Sequence, residues 1–182
     1  IGNAVFESLI LAAGKANLAA TGNLTVDLLR VTNAGDAHDL SIDVGGNLVL
    51  GELDAGSTGD ISLKSTGSIT KTAGKRVKGD ELALEASGSV NIATEVATIV
   101  ASLSAAGDLQ IDETNALQLV DVSVADGSLD VTTGASLTVD SVRISTDETG
   151  REAKLKTISG DISVGVLVVG TDKGKAVLDA AG

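Results

Sequence analysis

The single histidine of this chain, His38, lies between two aspartates in the segment Gly35–Asp39. An Asp/His pair near a serine could support acyl transfer, because the imidazole takes the serine proton while the carboxylate orients the ring. The segment, however, has the composition of a turn inserted before the first clear strand. One histidine without cysteine is also weak evidence for a metal site, because such a site needs further ligands at defined spacing. We therefore expect His38 to belong to a solvated loop.

Three other short motifs could carry function, and each has a simpler structural interpretation. Gly67–Arg76 (GSITKTAGKR) has some likeness to a phosphate-binding loop, but it lacks the four-residue spacing and the Ser/Thr after the lysine. Lys78–Asp80 (KGD) is a variant of the RGD-type integrin tripeptide that falls at a glycine turn. Asn23–Thr25 (NLT) is a formal glycosylation sequon, but Thr25 is predicted to be the outward residue of a strand. We expect all three to be structural.

The acidic residues are concentrated in the middle of the chain. The net charge is −12, and residues 79–142 contain eleven Asp and Glu but no Lys or Arg. Basic clusters flank this acidic block, upstream at 64–78 and downstream at 143–156. An acidic belt repels nucleic acid and anionic membranes, so we expect neither as a partner. We interpret the block as a solubilising surface. Its acids are Asp80, Glu81, Glu85, Glu95, Asp108, Asp112, Glu113, Asp121, Asp126, Asp130 and Asp140.

The alternative for the acidic block, residues 79–142, is loose calcium binding. Asp39, Asp60 and Glu81 are predicted to stack at one outward position next to it. Calcium takes six to eight oxygen ligands that converge on one point. The sequence has no compact Asp-x-Asp loop to supply them. We therefore predict no cofactor and no metal-ligating residue, with calcium as the weaker possibility.

A short apolar strand recurs along the chain with a period of about 20 residues. Its first apolar residues are Leu40, Ile61, Leu82, Leu103, Val122, Val142 and Ile162. A second strand, led by glycine, runs in phase with it, and its first apolar residues are Leu24, Leu48, Ile69, Val90, Leu109 and Leu129. A third strand begins at Leu117 and Leu137 in the later repeats. Such regular columns indicate one supersecondary unit stacked on itself.

The repeat predicts an all-β fold, a single-stranded parallel β-helix (solenoid) with about 20 residues per coil and about 8–9 coils. The length of the turn favours the right-handed form. We expect residues 1–182 to form one continuous solenoid segment. Residues 1–21 could be an irregular or capping coil, and residues 22–182 would form regular coils with insertions near 30–38 and 145–156. The absence of proline fits strands that are paired on both sides.

A parallel β-helix can also be a pectate-lyase-like enzyme. Such enzymes combine calcium-binding acids, a basic residue and long loops that form a sugar cleft, usually with aromatic platforms. This chain has a single aromatic residue, Phe6, and two predicted insertions. We therefore predict a non-enzymatic protein without catalytic or cofactor-binding residues.

The recurrent pattern Gly-[Asn/Asp/Ser]-Leu-x-Val, over residues 22 to 178, resembles the repeat region of filamentous haemagglutinin-like adhesins, which are bacterial exoproteins of two-partner secretion. The resemblance implies a right-handed β-helical shaft, export in an unfolded state and projection of adhesive tips from the cell surface. The secretion domain of that family carries Asn-Pro motifs, and this chain has no proline. The resemblance is therefore to the shaft.

The leading hypothesis is a structural shaft segment of a large secreted or cell-surface bacterial filament, extracellular and in contact mainly with other coils or chains of the same filament. The first alternative is an adhesive module that binds a host or neighbouring-cell ligand. Its platform would be an outward ladder of Ser41, Ser62, Ser104, Ser123 and Ser163. The second alternative is a subunit that self-assembles end to end into a fibre.

Overall fold

The computed structural model describes residues 3–32, 39–146 and 148–182, and all regular structure in these ranges is β-strand. The strands are β1 (Ala4–Phe6), β2 (Leu9–Leu11), β3 (Ala16–Ala20), β4 (Leu24–Val31), β5 (Leu40–Val44), β6 (Leu48–Asp54), β7 (Ile61–Ser65), β8 (Ile69–Lys71), β9 (Val77–Lys78), β10 (Glu81–Ala86), β11 (Val90–Glu95), β12 (Thr98–Ala106), β13 (Leu109–Glu113), β14 (Leu117–Asp126), β15 (Leu129–Thr133), β16 (Leu137–Ile144), β17 (Glu152–Thr157), β18 (Ile162–Val169) and β19 (Lys175–Asp179).

The strands form two parallel sheets that the chain visits in turn. Sheet A runs β1-β4-β6-β8-β11-β13-β15-β17-β19, with β2 paired to β4 and β9 paired to β6 and β11. Sheet B runs β3-β5-β7-β10-β12-β14-β16-β18. Each circuit of the chain adds one strand to sheet B and one or two to sheet A, which gives a β-solenoid of about eight turns, with equivalent strands about 21 residues apart. The predicted all-β parallel solenoid is confirmed.

The core is a set of aliphatic columns between the two sheets. Inward residues alternate with outward ones along each strand, so each column contains one residue per coil. The glycine-led column is confirmed in full from Leu24 to Leu129, and it extends to Ala4 at one end and to Ala153 and Ala176 at the other. The buried apolar residues are all Leu, Ile, Val or Ala. The buried core of the described residues is therefore aliphatic throughout.

The other predicted column is correct only in part. Leu40, Ile61 and Leu82 are in register, but the next partner of Leu82 is Ile99 and not Leu103. Every second residue of β12 is apolar, so a slip of four residues leaves the inward pattern unchanged. The alternation therefore could not identify the correct partner.

The same error recurs later in this column. Val122 does pair with Val142, but Ile162 pairs with Leu137. The strands predicted to begin at Leu117 and Leu137 are not separate, because each continues into the strand that contains Val122 or Val142. The two predicted strands of such a coil are thus one strand of sheet B. In β14 they join just after Leu119, where the pairing with β12 is irregular.

The glycines that lead the sheet A strands are required by close packing. A Cβ at Gly127 would lie 1.9 Å from the carbonyl oxygen of Gly107, and one at Gly67 would lie 2.3 Å from Oδ1 of Asn47. Neither glycine is among those with positive φ. The turns of successive coils thus stack at a distance that leaves no room for a side chain.

The predicted insertions need correction. Residues 152–156 lie in β17 and pair with β15, so the later insertion covers only 145–151. Arg30 and Val31 belong to β4 and Thr32 follows that strand, while the rest of the predicted insertion, residues 33–38, lies outside the described residues. Residues 4–20 form strands of the same two sheets. A further loop, residues 72–76, leaves sheet A between β8 and β9.

Candidate functional site

Of the residues singled out for acid–base chemistry, the structure describes only Asp39. His38 and Asp36 lie outside the described residues. Asp39 forms an ion pair with Lys15 of the preceding coil. The three acids predicted to stack do so, since the residues that follow them are in register. The backbone N–H of Glu81 donates to Oδ1 of Asp60 at 3.4 Å.

No three His, Asp or Glu side chains lie close enough to hold a metal ion within residues 3–32, 39–146 and 148–182. At the two edges of the acidic block, residues 79–142, acidic side chains form ion pairs with Lys and Arg side chains of adjacent coils. Upstream, Glu85 lies 2.9 Å from Nζ of Lys64 and Glu95 lies 3.2 Å from Nζ of Lys78. The hydrogen bond that the Lys64 ammonium group donates to Glu85, together with the negative charge of that carboxylate, raises the pKa of Lys64.

The downstream edge of the acidic block is paired in the same way. Asp126 lies 2.6 Å from Nη2 of Arg151, and Asp130 lies 3.5 Å from Nζ of Lys154. Residues that are 24 or 25 apart in sequence become neighbours because the coils stack. Charge clusters that are separate in the sequence are therefore joined in the fold.

The polar residue that follows the repeat glycine connects one turn to the next. Oδ1 of Asn23 accepts the backbone N–H of Asn47 at 2.8 Å, and Oδ1 of Asn47 accepts that of Ser68 at 2.9 Å. Further along, Oδ1 of Asp108 accepts the N–H of Ser128 at 2.8 Å. This explains the Asn/Asp/Ser position of the repeat. It also gives Asn23 of the formal glycosylation sequon a structural role.

The basic segment 67–76 is a strand followed by an exposed turn, with Gly74 at a φ of +74°. The turn borders a cleft of about 330 Å³ that is lined by Glu52, Asp54, Lys75 and Glu95, among others. These side chains are engaged with other protein groups. For example, Lys75 lies 3.8 Å from Glu52, and Lys78 of the KGD tripeptide pairs with Glu95. These charged side chains are therefore paired with neighbouring charged groups.

The serine ladder proposed as an adhesive platform is not one column. Ser41 and Ser62 are neighbours, but Ser123 pairs with Ser102, and Ser163 pairs with Thr138. Oγ of Ser104 lies 3.2 Å from Oγ of Ser87. The prediction of a single platform is wrong because it depended on the incorrect register of sheet B.

Sequence reasoning missed the distribution of exposed apolar side chains. Among the described residues, the large exposed apolar side chains are Val5, Ile10, Val120, Ile158, Val164, Val166, Val168 and Leu178. All but Val120 belong to the first coil, or to the last coil and the turn that leads into it. Assigning each residue to its column of stacked residues could have revealed this distribution, but that assignment requires the register between strands.

These features define a parallel β-solenoid whose polar side chains largely bridge successive coils. No helix in the described residues has the length and hydrophobicity of a membrane span. Comparison of the chain with protein-family models, with curated proteins and with solved structures gave no match in any of the three.

Proposed function

We propose that this chain is a structural shaft segment of a large secreted or cell-surface bacterial filament of the filamentous haemagglutinin-like kind. The proposal rests mainly on one observation, which is that the outward polar groups connect coil to coil. The capping contacts of Asn23, Asn47 and Asp108 each join adjacent turns, as do the ion pairs at both edges of the acidic block.

Such contacts suit a rod that must resist bending. Each coil is held to both neighbours by two sheets, by aliphatic columns and by side chains outside them. The rod would be roughly 40 Å long, at about 4.8 Å per coil. The remaining acids would keep rods apart in solution. In this proposal the chain supplies length and stiffness and catalyses no reaction.

Electron microscopy of the source cells with gold-labelled antibodies against this chain tests the proposal. We expect gold particles along filaments outside the cell. Antibody absorbed beforehand with the pure chain is the control and should leave the filaments unlabelled. Labelling confined to the cell interior would overturn the proposal.

A further inference from the structure

The loop of residues 72–76 is an exposed segment within the rod, between β8 and β9. All of its residues are exposed, and no other described run of exposed residues between β3 and β17 is as long. The loop is closed by a hydrogen bond from the N–H of Lys75 to the carbonyl oxygen of Thr72 at 3.1 Å. Exposed loops between rigid elements are the preferred sites of proteolytic cleavage.

The peptide bond between Lys75 and Arg76 has both of its polar groups available. Neither the carbonyl oxygen of Lys75 nor the N–H of Arg76 forms a hydrogen bond with another described residue. Recognition of an extended peptide relies on such unpaired backbone groups. The next bond along the chain is held in place, because the carbonyl oxygen of Arg76 accepts the N–H of Leu53 at 3.2 Å.

The side chain of Lys75 is also available to a partner. It is 46% exposed, and its Nζ lies 3.8 Å from a carboxylate oxygen of Glu52. Because exposed ion pairs contribute little to stability, this contact is readily exchanged for one with an acidic pocket. A protease that selects basic side chains has a pocket of that chemistry.

Other basic residues are held more firmly, and most of them lie within strands. Arg151 lies outside the strands, but its carbonyl oxygen accepts the N–H of Lys175 at 3.0 Å, and its side chain pairs with Asp126. The bond after Lys15 is held as well, since the N–H of Ala16 donates to a carbonyl oxygen of the next coil at 3.0 Å. The loop thus combines a basic side chain with an unpaired backbone.

We propose that the loop of residues 72–76 is a proteolytic processing site, at which a protease that cleaves after basic residues hydrolyses the Lys75–Arg76 bond. One water molecule is added across the amide bond, which leaves a carboxylate on Lys75 and an amino group on Arg76. The inference goes beyond the proposed shaft role, which concerns the rod and not the processing of its chain.

The cut leaves the rod assembled, because the two products share both sheets. In sheet A, β8 of the upstream product pairs with β11, and β9 of the downstream product pairs with β6. In sheet B, β7 pairs with β10 across the same boundary. The inward residues Ile61 and Ile69 pair with Leu82 and Val90 of the next coil, and all four are buried. The covalent chain therefore opens without exposure of the core.

Limited digestion of the folded 18.0 kDa chain with a lysine-specific endoprotease tests the site. Mass spectrometry of early time points identifies the first bond that is cut. We expect two products, residues 1–75 and 76–182, that separate in denaturant. In gel filtration without denaturant, we expect them to elute together at the volume of the uncut chain.

Two conservative variants serve as matched tests. Lys75→Arg keeps the positive charge but is not a substrate for a lysine-specific protease, so this variant should lose the first cut. Trypsin accepts either side chain and should still cut this variant after residue 75. Lys78→Arg changes a lysine within β9 and should be cut like the parent. Circular dichroism melting should confirm that both variants are folded.

A parent chain that resists the protease would overturn the proposal, and so would a first cut after any other lysine, including Lys173 in the last coil. Products that separate in gel filtration without denaturant would show that the cut opens the rod and would also contradict it. None of these outcomes bears on the location of the protein outside the cell, so the shaft proposal is tested separately.

Discussion

At the scale of single residues, the polar groups buried at one corner of sheet A show how each turn is held. Thr94, Glu113, Thr133 and Thr157 follow one another in a column and are almost fully buried. Glu113 accepts the backbone N–H groups of Asn115 at 2.8 Å and Val96 at 3.0 Å. Most members of this column thus bind the turn that follows them.

Thr94 is the exception in this column, and it provides a test. Its hydroxyl is buried without a hydrogen-bond partner, whereas that of Thr133 donates to the carbonyl oxygen of Ala135 at 2.6 Å. An unsatisfied buried hydroxyl costs about 1–3 kcal/mol. We expect Thr94→Val to raise the free energy of unfolding by about 1 kcal/mol and Thr133→Val to lower it by a similar amount. Urea unfolding measures both, and a change of the same sign in the two variants would refute the assignment.

The repeat glycines provide a second test at this scale. Gly127 approaches the Gly107 carbonyl so closely that an added Cβ must displace backbone. We expect Gly127→Ala to lower the free energy of unfolding by about 3 kcal/mol or more, since overpacking forces the coils apart. Gly56 has open space and a φ of +79°, so Gly56→Ala should cost only about 1 kcal/mol of backbone strain. Thermal denaturation compares the two, and equal losses would contradict the steric explanation.

The sequence predicted which residue types recur at the turns but not why they recur. A glycine before Asn47 or Asp108 is consistent with either positive φ or close packing. Only the spacing of stacked backbones decides between these causes, and that spacing is not encoded in any single repeat. The capping by Asn23 was hidden for the same reason, because its partner lies 24 residues away.

At the scale of strands, the register was predictable where the turn before a strand is constant. The column through Leu48 and Leu109 follows a glycine and a polar residue in each copy from Leu24 to Leu129, which fixes its position. The strands of sheet B follow turns of unequal length. Their alternation repeats every two residues, so Leu103 fits the inward pattern as well as Ile99 does. The predicted serine ladder was wrong because it depended on the incorrect register of sheet B. The exposed apolar side chains of the first and last coils were missed for the same reason.

The inward assignment of Leu82 has a direct test. Leu82 is fully buried between Ile61 and Ile99, whereas its neighbour Ala83 points outward. Leu82→Asp places an unpaired charge in the core and should unfold the adjoining coils. Ala83→Asp should change the free energy of unfolding by about 0.5 kcal/mol or less. Hydrogen exchange of β7, β10 and β12 reports the outcome, and protection that survives Leu82→Asp would show that the residue faces outward.

At the scale of the whole molecule, each coil contacts its two neighbours, and stability is close to a sum of coil and interface contributions. The number of coils could therefore be predicted from the period alone, without knowledge of any contact. The positions of the exposed apolar side chains could not be predicted in this way, because they depend on which residues end each column. Val168 looks like an ordinary strand residue until it is aligned with Arg143 and Lys64.

The modular stack predicts that a whole coil can be removed without loss of the fold. Deletion of residues 109–128 joins Asp108 to Leu129, which takes the place of Leu109 in the same column. The strands on either side then meet in register, so we expect a folded rod that is shorter by about 4.8 Å and somewhat less stable. Small-angle X-ray scattering gives the length of the rod. Deletion of residues 109–118 is the control. It removes half a coil, so that the rest of β14, a sheet B strand, falls where a sheet A strand is needed, and we expect it to prevent folding. If both deletions unfold the chain, the coils are not interchangeable units, and the description of the molecule as a stack of independent turns is wrong.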